Sequence, residues 1–255
     1  DSIGWKGIFI VLLILGVLLL FSNLHFKESL SVDNRKRGNL KSLVSGFGIV
    51  LKNRRYVYYV LQMGFAMGVL FANISSSPFI VQQHYGFSAF EFSLFFGINA
   101  LAIGLAAGLS VKFKNPEHAM FLGSVGMTMM SAVEFVILSN EYHFAVYEAV
   151  LFVLLFSMGL TFTASTTLAM DCERANSGTA SALFGAAGFA FGGIVSPLVG
   201  LGDILSTTGL IFFVCSVCSL CFSVLAMNQT HTNLWGSFKC KMGPVTRFVF
   251  LRREK

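Results

Sequence analysis

Residues 177–203 read SGTASALFGAAGFAFGGIVSPLVGLGD, a run with no charged side chain before its last position. Wound into a helix rising about 1.5 Å per residue, it is about as long as the hydrocarbon core of a bilayer is thick. Ser181, Gly185, Gly188, Gly192, Ser196 and Gly200 recur at steps of three or four, which puts them in one groove. Leu183, Phe184, Phe191, Ile194, Val195 and Leu198 fall opposite. So many glycines weaken a helix in water. In lipid, where mere contact brings no hydrophobic gain, small residues let two backbones pack closely. The run therefore reads as a packing helix of a membrane bundle, with Gly185, Gly188, Gly192 and Ser196 as its contact residues. A glycine-rich phosphate loop does not fit, because no GxGxxG stands between a strand and a helix.

Composition points the same way. Hydrophobic residues make up 55% of the 255 and charged ones 12%, against roughly 25% charged in a soluble domain. The net charge of +6 does not indicate nucleic acid, because the basic residues cluster beside apolar spans, as in cytoplasmic loops. Cys215, Cys218 and Cys221 step through an apolar stretch without a histidine and read as small packing residues, not as a metal or redox site. The first residue is Asp1 and a full span follows within a few positions, so either a segment upstream has been removed or the chain is a fragment. Residues 8–21 lack the charged start and cleavage site of a signal peptide.

The spacing predicts seven transmembrane helices in an all-α integral membrane protein. Residues 1–26 hold the first span. Residues 27–55 form a loop carrying Lys27, Arg35, Lys36, Arg37, Lys41, Lys52, Arg54 and Arg55, cytoplasmic by the positive-inside rule. Within that loop, Leu40, Leu43, Val44, Phe47, Val50 and Leu51 predict an amphipathic helix on the membrane surface. Residues 56–227 hold six further spans, at 56–80, 92–111, 119–139, 144–169, 177–203 and 208–227. A basic cytoplasmic tail occupies 228–255, irregular from Trp235 onward.

Four stretches carry a resemblance: Phe71-Ala72-Asn73-Ile74-Ser75-Ser76-Ser77-Pro78-Phe79, Tyr85-Gly86-Phe87-Ser88, Phe96-Gly97-Ile98-Asn99-Ala100 and Gly178-Thr179-Ala180-Ser181-Ala182-Leu183. Over residues 4–227 the chain resembles the Bcr/CflA drug:proton antiporters of the major facilitator superfamily. It departs from them at Asn73, commonly an aromatic, and in the loop 112–118, which lacks the usual Arg and Gly. The resemblance implies export of small hydrophobic drugs or metabolites in exchange for protons, by alternating access, in the bacterial inner membrane with the C-terminus cytoplasmic. It also implies that these spans are the sixth helix and the carboxy-terminal six-helix lobe of a twelve-helix carrier, whose amino-terminal lobe is missing. An uptake symporter of the same fold, and a structural half needing a partner chain, are the alternatives.

In that fold the first and fourth helices of a lobe line the central cavity. The expected lining residues are Gln62, Phe65, Asn73 and Ser76 on the first, and Thr161 and Ser165 on the fourth, with Asn99 beside the cavity and Phe184 stacking on an aromatic ligand. Lipid-spanning amides must face protein or water, so Gln62 and Asn73 either line the cavity or bond another helix. Glu134 and Glu148 lie within about 10 Å of the outer membrane face by helical rise. Solvation at the interface is one reading of them, and burial beside the cavity, which makes either a proton carrier, is the other. All five histidines fall at span ends or in loops, so no catalytic residue, metal or cofactor is expected.

Overall fold

The computed structural model describes residues 4–26 and 40–241. Residues 27–39 of the basic loop and the last fourteen residues lie outside the described residues. The chain divides into two units, 1–42 and 43–255. In the first, α1 (Gly4–His25) is apolar around its whole circumference, with no polar side.

The second unit is a helical bundle, with no strand among its described residues. After α2 (Leu40–Leu51) it comprises α3 (Arg54–Pro78), α4 (Ala89–Ser110), α5 (Pro116–Ser139), α6 (Phe144–Cys172), α7 (Ser177–Leu198) and α8 (Ile204–Lys241). With α1, seven helical stretches are long and apolar enough to cross a membrane: Lys6–His25, Arg54–His84, Ala89–Ser110, Pro116–Ser139, Phe144–Cys172, Arg174–Leu201 and Ile204–Gln229.

Local chemistry sets the helix ends. Asn53 caps α3 by accepting from the Tyr56 N–H, and Ser88 with Glu91 forms a reciprocal capping box at α4. Asn115 caps α5, whose first residue is Pro116. Asp203 accepts from the Ser206 N–H at 2.9 Å, and this bond holds its carboxyl below the usual carboxylate range. At Pro78 the i→i−4 ladder of α3 gives way to a π-helical segment, Phe79–His84, which carries the span to Tyr85.

Helix pairing is symmetric. α3 packs against α7 and α8, α6 packs against α4 and α5, α5 meets α8, and α3 meets α6. Exchanging α3, α4, α5 for α6, α7, α8 maps this pattern onto itself. The start of α3 is bonded to the end of α6, where Asn53 Nδ2 donates to Glu173 Oε1 at 2.7 Å, so the two three-helix repeats run in opposite directions. The lysines and arginines whose side chains are described in this unit gather at that same end, at Lys52, Arg54, Arg55, Lys112, Lys114 and Arg174.

At this basic end, Arg55 Nη2 pairs with Glu117 Oε1 at 2.9 Å and Tyr56 Oη donates to the Ala180 carbonyl at 2.7 Å, tying α3 to α5 and α7. Two apolar cores fill the bundle. One surrounds Leu151, Leu154, Met158 and Phe212, and the other, nearer the basic end, surrounds Tyr56, Tyr59, Met120 and Phe184.

Three expectations are corrected. The buried stripe of α7 is Ala180, Phe184, Gly188, Gly192, Val195, which continues into Val199, so Phe184 and Val195 face inward. Gly185 has nothing within 4 Å of the position its Cβ would take, and Ser181 and Gly200 are exposed. The packing ridge is offset because Phe71 of α3 sits over Gly192 while Phe191 of α7 sits over Gly64, an interlock that fixes the rotation of the helix. In α2, Val50 of the predicted apolar face is buried, Val44 and Leu51 are exposed, and Gly46 lies against Thr179. Finally, α8 continues unbroken past Trp235 to Lys241.

Candidate functional site

Two polar layers cross the apolar interior. The first lies at mid-span. Ser165 Oγ of α6 donates to Gln62 Oε1 of α3, Gln62 Nε2 donates to Ser219 Oγ of α8 at 3.0 Å, and Ser219 Oγ donates to the Gln62 carbonyl at 3.1 Å. All three residues are fully buried. This satisfied triad knots three helices. Gln62 and Ser165, expected to line a cavity, are held inside the bundle because an unmet amide in hydrocarbon costs several kcal/mol (about 2–7). Gln62→Ala strands the buried Ser165 hydroxyl, leaves Ser219 only its bond to the residue 62 carbonyl, and should cost about 1–3 kcal/mol. Ser165→Ala should cost nearer 0.6 kcal/mol, since buried hydrogen bonds in membranes are worth about that much on average. Thermal melting of the detergent-solubilised protein reads both, and a Gln62→Ala protein melting with the wild type would show that the triad does not stabilise the bundle.

Other expected lining residues are also enclosed. Thr161 donates to the Ser157 carbonyl of its own helix at 3.0 Å, and Ser76 donates to the Asn73 carbonyl of its own. Asn73 accepts from Ser77 Oγ at 2.8 Å and is 2% exposed. Phe65 packs edge-on against Phe191 and stacks with Phe222, centroids 4.8 and 5.8 Å apart. Phe184 belongs to the core around Tyr56. Ser196, one of the expected packing residues, shares a hydroxyl hydrogen bond with Ser75 of α3.

The second layer lies toward the end away from the arginines. Asn99 Nδ2 of α4 donates to Glu148 Oε1 of α6 at 2.9 Å. Beside this pair is a cleft of about 10 Å³, room for a single water, lined by Ser77, Val81, Phe92, Phe95, Phe96, Asn99, Tyr147, Glu148 and Leu151. Glu134 of α5 is fully buried and neither carboxyl oxygen has a hydrogen-bond partner; the Tyr147 hydroxyl and Asn99 Oδ1 are likewise unmet. Glu134 and Glu148 both lie within electrostatic range of Tyr147 and of each other. Interfacial solvation of Glu134 is therefore corrected to burial, while Glu148 is half-buried. Outside the spans, burial pushes the Tyr85 phenol above its ordinary value, and the charges of Glu134 and Glu141 add to the shift.

Sequence reasoning missed the meeting of these side chains. One signal was available: Glu134 and Glu148 stand seven residues before and after Glu141, the left-handed residue (φ 51°) at which α5 turns back into α6. A helical hairpin brings such positions to one level. Ser77, four residues after Asn73, was legible as its helical neighbour. Tyr147 carries no signal beyond adjacency to Glu148.

A six-helix unit of two opposed three-helix repeats, with polar layers crossing its interior, is the architecture of one lobe of a membrane carrier. The sequence profile of the Major Facilitator Superfamily matches residues 1–197. The chain belongs to the major facilitator superfamily. A relative from Bacillus subtilis (strain 168), described as an uncharacterized MFS-type transporter, YdgK, is 35% identical over 235 residues, covering 90% of this chain and 58% of that protein. The chain thus spans a little over half the length of this relative. In a facilitator bundle, helix pairs are drawn together by small residues and buried polar bonds, and both are present here at the α3–α7 and α3–α6–α8 contacts.

Proposed function

We propose that the chain supplies the sixth helix and the carboxy-terminal lobe of a secondary carrier that exports small hydrophobic drugs or metabolites in exchange for protons, in the manner of the Bcr/CflA antiporters. The basic ends of the helices and the C-terminus face the cytoplasm, and the membrane is the bacterial inner membrane. Glu134 carries the proton half of this reading. It is a carboxyl deep in a spanning bundle, without any partner on either oxygen, and intramembrane carboxyls of this kind are the residues of proton relays. Glu148, in the cleft and bonded to Asn99, is the second carrier of protons.

The two-lobe arrangement draws support from the exposed glycines. Gly97, Gly104 and Gly108 on α4 and Gly185 and Gly193 on α7 have nothing within 4 Å of a built Cβ, and α4 and α7 are equivalent under the exchange of repeats. A missing amino-terminal lobe would pack closely there. The transport role draws its support from the family.

Inside-out vesicles from cells making the full-length protein provide the test. With an acid lumen they should accumulate a hydrophobic fluorescent dye, and dissipating the pH gradient should release it. Accumulation only under the opposite gradient would replace export with uptake symport.

A further inference from the structure

The cleft beside Glu148 specifies its guest more narrowly than "small and hydrophobic" does. Its polar groups present acceptors. Asn99 gives one N–H of Nδ2 to Glu148 and leaves Oδ1 unmet at 5% exposure, and Ser77 has donated its proton to Asn73. Tyr147 Oη is fully buried and unmet, and the Glu148 carboxyl completes the wall. With the Glu148 carboxyl in the wall, such a lining favours a guest that brings donors over a carboxylate or phosphate. The ionisable groups in range from neighbouring elements are Glu134, Tyr147 and Tyr85, none of them basic, while the described lysines and arginines of this unit lie at the opposite helix ends. Charge complementarity favours a cation.

Size decides which cation. About 10 Å³ holds one water-sized group. An –NH₃⁺ head is of that size and brings three N–H donors to the available oxygens. A trimethylammonium head is several times larger and brings none. Phe92 and Phe96, with ring centroids 5.7 Å apart, flank the cleft, and Phe96 is 38% exposed, so an apolar body attached to that head has rings to lie against.

We propose that this cleft receives the primary ammonium group of an amphiphilic amine, between Glu148, Asn99 and Tyr147, with its apolar body along Phe92 and Phe96. This names the substrate class of the carrier proposed above and rests on that reading for transport, though not for binding.

Equilibrium binding to the purified full-length protein, followed by naphthyl fluorescence, compares three probes of one shape: 1-naphthylmethylamine, its N,N,N-trimethyl derivative and 1-naphthalenemethanol. The primary amine should bind saturably and about 10- to 100-fold more tightly than either of the others, the range expected of a charge-assisted hydrogen bond. Glu148→Gln should erase that preference. Equal affinities for the three probes in the wild type would overturn the proposal, and this comparison needs no variant to fold. Displacement of the amine by sodium chloride but not by choline chloride, at millimolar concentration, would show a sodium site and overturn it too. Amine binding without gradient-driven movement would remove the carrier reading and keep the site. Gradient-driven movement of neutral dyes without amine preference would do the reverse.

Discussion

Gly159→Ala is expected to lower the stability of the six-helix unit by about 1–3 kcal/mol, the range for inserting a methyl group into a packed interior. A Cβ at Gly159 would sit 2.5 Å from the Ile103 carbonyl oxygen and 3.0 Å from the Ile103 Cα, on the backbone of α4. No rotamer change relieves a clash with backbone, so α4 must move off α6. With it would go the Ser110 Oγ bond to the Leu160 carbonyl, 3.1 Å long, and, along the same seam, the Asn99–Glu148 contact. Gly48→Ala, in α2, is the control. That position is exposed with open space around it, so the better helix propensity of alanine should leave stability unchanged or raise it. Thermal melting in detergent compares the two, and equal melting temperatures would show that α4 and α6 do not meet as closely as described.

Glu134→Gln should abolish proton-driven exchange while sparing the fold. The amide keeps the volume of the carboxyl but neither takes up nor releases a proton, so a carrier coupled through this residue loses its drive and retains only downhill movement of substrate. Folding should tolerate the change. The carboxyl makes no hydrogen bond that the variant would break, and Glu134→Leu, which removes two unmet buried oxygens, should melt at or above the wild-type temperature. Loss of function with retained or raised stability is the signature of a group kept for chemistry. If Glu134→Leu instead melts well below the wild type, the carboxyl is structural.

The helices were legible in the sequence because hydrocarbon imposes long apolar runs, and each span lies where those runs and the basic clusters put it. Rotation about the helix axis was less legible. On α7 a stripe of small residues predicts a groove, yet the face that packs is shifted, because two phenylalanines on partner helices, Phe71 and Phe191, fill the spaces over Gly192 and Gly64. Such reciprocal fits depend on two segments more than a hundred residues apart. Amides were recognisable as residues needing partners, though not whose partners they would be. Gln62 satisfies Ser165 and Ser219 within the bundle, and Asn99 reaches a carboxyl forty-nine positions away. Single-helix periodicity carries no record of those pairings.

Protons and substrate should be followed together in proteoliposomes holding the full-length protein, with a pH-sensitive dye trapped inside and no imposed gradient. Coupling through the buried carboxyl predicts that a substrate gradient drives protons in the opposite direction, and that Glu134→Gln silences the dye while substrate still equilibrates. Proton movement that persists unaltered in Glu134→Gln, or substrate flux that moves no protons in the wild type, would contradict it.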